Sequence, residues 1–284
     1  MKLALLGDLH YPRLHHGTPE LIRIRDRFYS GMLRQFALSR ADVYISLGDL
    51  TNEGVPEELS GIMELWKDCS PGNKLVHVIG NHDAYSLPKS EIRTYTRQER
   101  YYSVDTDEAV LLIVDTAREM NPRDWGGFLD SEQLDWLDAK IIESASKPVL
   151  VFAHHPVYDT TSRSTQDKLS VHPKVDIWSI LKKKKGYGFY FNGHNHQNSI
   201  CRRDQWHFIQ TAACLDIPGY RLVEIKDGLI QIQLVRLIDD QMLEQAESLG
   251  LQMVYFHPMT EALGQSRDWN LTISLTDSSA VIGL

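Results

Sequence analysis

Five short runs of the sequence carry histidine, aspartate and asparagine, the side chains that most often bind metal ions through nitrogen and oxygen. Two of the runs have the form D-x-H or H-x-H, in which residues i and i+2 point to the same side of an extended chain and can hold one ion. A single run of this kind is weak evidence for a metal site, whereas five in one chain are strong evidence. The runs are Gly7-Asp8-Leu9-His10, Gly48-Asp49-Leu50, Gly80-Asn81-His82-Asp83, His154-His155-Pro156 and Gly193-His194-Asn195-His196.

Each run follows an apolar stretch that is predicted to form a buried strand. Because buried parallel strands end at one edge of a sheet, the five runs are expected to meet in a single crevice. Seven nitrogen and oxygen ligands in one crevice are enough to hold two metal ions, which indicates a hydrolase. The glycines before the ligands allow sharp turns and close approach. The five stretches are 2–6, 43–47, 74–79, 149–153 and 187–191.

Helices are predicted between these strands, and the second half of the chain is richer in short strands. Thr18 and Asp130 are predicted N-caps, each at the start of an apolar pattern with helical spacing. The segment 226–228 has the composition of a hairpin turn. The predicted helices are 18–40, 56–66, 130–142, 175–181 and 239–249, and the further predicted strands are 206–211, 220–225, 229–235, 254–256 and 271–275.

The order of the five runs resembles the motif set of the calcineurin-like metallophosphoesterase superfamily. The H-H-P form at 154–156 is similar to that of the bacterial class III cyclic-nucleotide and glycerophosphodiester phosphodiesterases, and the run G-F-L-D-S-E-Q-L-D-W-L at 127–137 resembles the family's helix entry ahead of the fourth motif. The resemblance covers about residues 1–235. It implies an α/β (α+β) fold, a four-layer sandwich of two mixed β-sheets flanked by helices, with a dinuclear metal site at the carboxyl ends of strands.

The resemblance also implies which residues bind the metal ions. His154 rather than His155 is the expected ligand, because the family's metal histidine lies two positions before the proline. Imidazole and carboxylate ligands suit manganese, iron, zinc or cobalt, and they do not select one of these metals. The expected assignment is Asp8, His10 and His196 for the first ion, Asn81, His154 and His194 for the second, and Asp49 as the bridge between both.

Four residues of these runs are implied to act on the substrate. His82 is expected beside the ions, where an imidazole can donate a proton to the leaving oxygen. Asp83 would orient His82, with an outward-facing loop carboxylate as the alternative. Asn81 and His82 would contact the substrate, and His155 is either a packed histidine or a wall of the substrate pocket.

The resemblance of the H-H-P form implies hydrolysis of a small phosphodiester, similar to a cyclic nucleotide or a glycerophosphodiester, by a metal-bound hydroxide. A phosphomonoesterase or a nucleotide pyrophosphatase on the same site is the first alternative. A non-catalytic interaction module is the second, because a fold alone does not establish an activity. Since every expected ligand is present, the sequence favours an enzyme.

Composition limits the partners and the location. The 284 residues are predicted to form one domain, with 236–284 as an elaboration that could cap the crevice, extend a sheet or contact a second copy of the chain in a homo-oligomer. A net charge of −8 argues against nucleic acid as a partner. No apolar run has the length of a membrane span. A strand at the first residues, without room for a signal peptide, and three unpatterned cysteines predict a cytoplasmic protein.

The segment between the first run and the following helix is unusually basic for an acidic chain. Arg13, His15 and His16 either overhang the crevice and contact the substrate or lie on the surface of a loop. The sequence leaves both roles open.

Overall fold

The computed structural model describes residues 1–276 of the chain. Within them, strands and helices alternate along the first two thirds, and strands dominate afterwards. The strands are β1 (Lys2–Leu6), β2 (Val43–Ser46), β3 (Leu75–His77), β4 (Tyr102–Asp105), β5 (Val110–Ile113), β6 (Val149–Phe152), β7 (Gly188–Asn192), β8 (Ser199–Arg203), β9 (Trp206–Gln210), β10 (Gly219–Lys226), β11 (Leu229–Arg236) and β12 (Asn270–Ser274). The helices are α1 (Pro19–Ala37), α2 (Pro56–Cys69), α3 (Lys89–Thr96), α4 (Ser131–Glu143), α5 (Ile177–Leu181), α6 (Asp240–Gly250) and a 3₁₀ turn at Ser266–Asp268.

The strands form two mixed sheets of six strands each. The first has the order β12-β11-β10-β1-β2-β3, and the second has the order β4-β5-β6-β7-β9-β8. In the first sheet β1, β2 and β3 are parallel, whereas β10, β11 and β12 pair antiparallel. In the second sheet β5, β6, β7 and β9 are parallel, and β4 and β8 pair antiparallel to their neighbours.

Side-chain alternation along the strands gives each sheet two apolar faces. In β1, Leu3 and Leu5 belong to a core shared with Phe152 and Phe191 of the second sheet. Leu6, which points the other way, packs in a second core with α1 and α2. A third core joins the outer face of the second sheet to α4 and α5. The predicted four-layer sandwich is therefore confirmed.

Two helices start at the predicted caps Thr18 and Asp130, and Asp239 caps α6 in the same way. The side chains of Thr18, Asp130 and Asp239 accept the backbone N–H three residues further on, at 3.2, 2.8 and 2.8 Å. The predicted strand at 254–256 is wrong, because these residues form a loop in which Tyr255 has a φ of 73°. Helix α3 and strands β4, β5 and β8 were not among the predicted elements.

The strand ends that carry the five runs belong to both sheets. Strands β1, β2 and β3 end in the first three runs, and β6 and β7 of the other sheet end in the last two. The expectation of a single sheet edge is thus wrong, and the crevice lies where the carboxyl ends of the two packed sheets meet. Among residues 1–276, no helix has the length and apolar character required to cross a membrane.

Candidate metal centre

Four of the candidate ligands have backbone conformations that residues other than glycine rarely adopt. The φ angles are 50° at His10, 47° at Asp49, 71° at His194 and 55° at His196. Aspartate and histidine tolerate this left-handed region better than most residues. Such conformations still cost free energy, and they cluster at functional sites. Sharp turns of this kind bring ligands of both sheets into the crevice.

Two glycines allow ligands on neighbouring segments to approach each other closely. A Cβ atom at Gly80 would lie 2.1 Å from the backbone nitrogen of Asp49 and 2.2 Å from its Oδ1. At Gly193, a Cβ atom would lie 2.6 Å from Oδ2 of Asp8. Any side chain at either position would therefore displace a carboxylate of the centre.

A first group of donors joins the end of β1 to the loop after β7. The Nε2 atoms of His10 and His196 are 3.0 Å apart, and a carboxylate oxygen of Asp8 lies within 4.8 Å of ring nitrogens of both. Asp8 also accepts the backbone N–H of His194 at 3.0 Å, which connects the two segments. Nδ1 of His196 faces Oδ2 of Asp216 at 3.5 Å.

A second group of potential metal-ligand atoms (donors to a metal) surrounds Nε2 of His154. Oδ1 of Asn81 is 2.9 Å from this nitrogen, Oδ2 of Asp49 is 3.2 Å away, and Nδ1 of His194 is also 3.2 Å away. The four residues follow β2, β3, β6 and β7. Both sheets therefore supply the second group, as they supply the first.

The hydrogen bonds of the histidines turn their ring lone pairs toward the centre. Nδ1–H of His154 donates to the carbonyl of Leu47 at 2.9 Å, and Nε2–H of His194 donates to the carbonyl of Lys168 at 2.9 Å. In the neutral rings the opposite nitrogens are therefore acceptors, and they face other acceptors. Acceptors this close repel one another unless positive charge, from a proton on His154 or from a metal ion, lies between them. Imidazole nitrogens with carboxylate and amide oxygens fit a divalent transition-metal ion.

Asp49 lies between the two groups. Its Oδ2 is 3.2 Å from Nε2 of His154 in the second group and 3.9 Å from Nε2 of His10 in the first. Its Oδ1 accepts the backbone N–H of His82 at 2.8 Å, which fixes the orientation of the carboxylate. One carboxylate oxygen of Asp49 therefore lies within 3.9 Å of a ring nitrogen of each group.

The ring of His82 lies beside these donors. Its Nδ1 is 2.6 Å from the carbonyl oxygen of Asn52, and its Nε2 is 4.0 Å from Oδ2 of Asp49. Because a carbonyl only accepts, Nδ1 carries the hydrogen and Nε2 is left for the crevice. The ring also lies close enough to His10 and Asp49, within 4.8 Å, to form a further cluster of potential donors.

Comparison with known proteins agrees with this geometry. Residues 1–198 match the family model described as calcineurin-like phosphoesterase. The chain belongs to the calcineurin-like phosphoesterase family. As a member of this family it is a metal-dependent phosphoester hydrolase, and the buried histidine and aspartate clusters are where it could hold metal.

Curated relatives carry phosphodiesterase names. The chain is 24% identical over 212 residues to the glycerophosphodiester phosphodiesterase GpdQ of Enterobacter lignolyticus, a match that covers 72% of this chain and 74% of that protein. It is 25% identical over 196 residues to a probable cyclic nucleotide phosphodiesterase of Synechococcus, covering 66% of this chain and 73% of the relative.

Solved structures show the same fold at low identity. A purple acid phosphatase from yellow lupin seeds has a TM-score of 0.58 at 10% identity, and the match covers 96% of this chain and 53% of that one. GAP50, the anchor in the inner membrane complex of Plasmodium, has a TM-score of 0.55 at 11% identity over 91% of this chain and 96% of its own. At these identities the likeness concerns the calcineurin-like fold alone.

Burial and neighbouring charges shift the pKa values of the aspartates and histidines in the calcineurin-like centre in opposite directions. Burial raises the pKa of Asp8 to about 6. Burial alone would lower the pKa of His154, but the carboxylate of Asp49 outweighs it and raises this pKa to about 9. Burial and the neighbouring His154 lower the pKa of His194 to about 3. A proton on His154 thus supplies positive charge at the position where a metal ion would supply it.

Asp83 does not have the partner predicted for it. Its carboxylate accepts from the hydroxyl of Thr51 at 2.7 Å and from the backbone N–H of Gly80 at 2.9 Å, and it lies 3.3 Å from Nε2 of His77. The ring of His82 is held by a backbone carbonyl instead. Asp83 therefore connects the loops that carry the ligands, in contrast to the prediction that it orients His82.

His155 is packed in the protein interior. The residue is fully buried. Its Nδ1 is 2.8 Å from the hydroxyl of Thr116, and its Nε2 is 2.7 Å from the carbonyl oxygen of Trp125. With both ring nitrogens engaged, the arrangement does not favour His155 as a substrate contact.

Three residues of the site could not be identified as site residues from the sequence alone. Asp216 follows β9, a further parallel strand of the second sheet, so a carboxylate after a buried strand was a signal that could have identified it. Asn52 acts through its backbone carbonyl, which any residue possesses. Phe256 contacts the rings of His10 and His196, and no sequence pattern connects its loop to the site.

In the basic segment after β1, Arg13 pairs with nearby acidic side chains. The guanidinium of Arg13 forms an ion pair with Glu53 at 3.1 Å, and its backbone N–H donates to Glu58 at 2.9 Å. His15 and His16 are exposed, with ring centroids 4.6 Å apart. These contacts favour a loop-surface role, and contact with a substrate stays a prediction.

Proposed function

We propose that this chain is a phosphodiesterase that hydrolyses a small phosphodiester at a centre holding two divalent or transition-metal ions. One observation carries the proposal: two separate groups of buried donors share Asp49, whose Oδ2 faces both. Seven donors divided in this way suit two ions better than one, because a single ion cannot contact donors on both sides of the carboxylate.

The ligand assignment is the one that the family resemblance implies. When bound, two such ions would activate water and neutralise charge on the phosphoryl group. The first group would be Asp8, His10 and His196, the second group would be Asn81, His154 and His194, and Asp49 would bridge them. Hydrogen bonds from His154 to Leu47 and from His194 to Lys168 would keep the rings oriented.

His82 would move the proton that the leaving oxygen needs. The carbonyl of Asn52 fixes Nδ1 as the protonated nitrogen, so Nε2 is the atom that would exchange a proton with the substrate. Burial lowers the pKa of His82 below its usual value, although Asp49 opposes this shift. An anionic phosphoryl group beside Nε2 would favour the imidazolium form, so the ring would gain its proton when the substrate binds.

The names of the relatives support a diester as the substrate. One relative is named a glycerophosphodiester phosphodiesterase and another a probable cyclic nucleotide phosphodiesterase. Both names refer to an enzyme whose substrate is a small molecule with a phosphodiester bond. A phosphomonoesterase or nucleotide pyrophosphatase activity is the alternative within the same centre.

A non-catalytic role is the alternative of a different class. The fold is also that of GAP50, which is described as an anchor. An anchoring protein has no need of a buried cluster of histidine, aspartate and asparagine side chains that converge on one point, which this chain has around Nε2 of His154. The cluster therefore supports an enzyme.

The test is metal analysis combined with a substrate screen. We expect about two transition-metal ions per chain after gentle purification or manganese addition. We also expect faster hydrolysis of bis-p-nitrophenyl phosphate, 3′,5′-cyclic AMP or glycerophosphodiesters than of p-nitrophenyl phosphate. Metal content below about half an ion per chain, with no gain on manganese addition, would contradict the centre. Preference for the monoester would replace the diesterase by a phosphomonoesterase.

A further inference from the structure

The loop after α6 lies over the metal centre, although it is outside the part of the chain that matches the family model. Two hydrogen bonds attach it to residues that support the centre. Nδ2 of Asn52 donates to the carbonyl of Val254 at 2.8 Å, and the backbone N–H of Met259 donates to Oδ1 of Asp216 at 2.8 Å. We call residues 254–259 the C-terminal wall.

Phe256 anchors the middle of the C-terminal wall. Its side chain is buried, and its ring centroid lies 5.2 Å from that of His10 and 5.2 Å from that of His196. The contact with His196 is stacked, with an angle of 26° between the planes. The wall is therefore fixed against two candidate ligands of the first ion.

Tyr255 is held between these fixed points with its side chain exposed. Its φ of 73° is an outlier for a bulky residue. About half of the residue, 53%, is accessible to solvent. An exposed aromatic ring in a strained conformation, on a loop tied down at both sides, indicates a functional position.

Tyr255 faces the residue that would protonate the leaving group. Its ring centroid is 6.3 Å from that of His82 and 6.1 Å from that of Tyr85. The ring of Tyr85 is 4.6 Å from that of His82, and its hydroxyl accepts Nδ2–H of Asn81 at 2.8 Å. Two tyrosines thus line the crevice on the side where His82 stands.

We propose that Tyr255 and Tyr85 bind the organic group that carries the leaving oxygen and select substrates in which this group contains a planar ring system, such as the base of a nucleoside. The inference rests on the proposed function, because it places the leaving group next to His82. Aromatic side chains bind bases by stacking, and loss of one stacking ring weakens binding by about tenfold or more. A glycerol group has no flat face and gains little from the same rings. The geometry therefore favours a nucleotide over a glycerophosphodiester.

The experiment measures binding without requiring turnover. Calorimetry on manganese-loaded protein gives the dissociation constants of adenosine 5′-monophosphate and glycerol 3-phosphate, which share a phosphate and differ in the attached group. We expect the wild type to bind the nucleotide more tightly. In Tyr255→Ala, the ratio of the two affinities should fall by about tenfold. Tyr255→Phe keeps the ring and should keep the ratio.

Val254→Ala is the matched control, because the exposed Val254 side chain lies in the same loop while only its backbone carbonyl bonds to Asn52. This variant should keep the ratio. A ratio that falls equally in both alanine variants, or in neither, would overturn the inference. Failure of the wild type to hydrolyse any diester while the ratio still depends on Tyr255 would instead overturn the proposed function, so the two outcomes are distinguishable.

Discussion

The metal centre and the C-terminal wall are built in different ways. The centre takes its donors from the ends of five strands, and its geometry depends on positive φ angles at positions such as His10 and Asp49. The wall is a loop that contributes rings instead of donors and is attached by Asn52, Phe256 and Asp216. The first region lies within residues 1–198 of the family match, and the second lies outside it.

The two regions differ in how many residue types can serve at each position. A donor must offer a particular atom at a particular point, so few residue types can serve, and a one-ångström change is costly. A wall must offer a surface, which several aromatic or apolar residues can supply. Reaction type is therefore set by the strand ends, whereas we expect the wall to set which ester is bound. Each prediction tests one side of this division.

The largest effect is expected from Asp49→Asn, which removes charge at the point shared by both donor groups. The amide keeps the size of the side chain and loses the negative charge that faces His154 and His10. We expect both ions to bind more weakly and activity to fall by about a thousandfold or more. Elemental analysis and rates on bis-p-nitrophenyl phosphate measure the two effects.

Normal metal content and turnover in this variant would show that Asp49 does not bridge. Asp83→Asn is a useful comparison, because its carboxylate is also buried but contacts Thr51, Gly80 and His77. If the Asp83 variant folds and loses both metals to the same extent, the loss in Asp49→Asn reports disturbed loops rather than a missing bridge.

The next effect separates His82 from the ligands. In His82→Ala we expect metal content to be kept, and rates on alkoxide leaving groups to fall about ten- to a hundredfold more than rates on p-nitrophenolate. A basic alkoxide needs a proton, whereas p-nitrophenolate leaves without one. His154→Ala should lose an ion and lower both rates alike. Equal losses with missing metal in His82→Ala would make His82 a ligand, as its distance to His10 and Asp49 also allows.

The convergence of the candidate ligands could be predicted from sequence because strand geometry leaves little choice. An apolar stretch followed by a donor places the donor at a sheet edge, and this correctly brought Asp8, Asp49 and His154 together. The division between two sheets could not be predicted, since periodicity identifies a strand but not its neighbours. In the same way, Val-Tyr-Phe at 254–256 has the composition of a strand, but tertiary contacts with Asn52 and the ligand rings make it a loop.

A third prediction concerns the pH dependence of metal binding. The pKa of His154 is raised above its usual value, to about 9, so below that pH the metal-free protein carries a proton that an ion must displace. Affinity for manganese should therefore rise about tenfold per pH unit between about pH 6.5 and 8.5, and level off above the pKa. Below about pH 6 the dependence should steepen, because Asp8 then binds a proton too.

Calorimetric titration with manganese at several pH values, in buffers that do not bind metal, measures this slope. Asp49→Asn offers an internal check, because the carboxylate of Asp49 is what raises the pKa of His154. Its removal should flatten the pH dependence as well as weaken binding. An affinity independent of pH in the wild type would mean that no proton leaves His154 when metal binds.

The smallest effect is expected in the wall itself. Phe256→Leu keeps an apolar side chain but removes the ring that packs on His10 and His196. These two are candidate ligands of the first ion, so manganese affinity at the first site should fall by about three- to tenfold, below the range for a lost hydrogen-bonding partner of a ligand. The second ion, held by His154 and His194, should bind as before.

Phe208→Leu is the control for loosened packing, since Phe208 is fully buried on the outer face of the second sheet and contacts Tyr190 and Trp206. It should lower the stability of the fold, and it should not weaken binding at one manganese site more than at the other. Stepwise manganese titration followed by electron paramagnetic resonance resolves the sites. If Phe256→Leu weakens both ions equally, as a general loosening would, the wall does not act on the first site. If only the first ion is weakened, the wall supports the ligands of that ion as well as lining the crevice, and the two regions are coupled through His10 and His196.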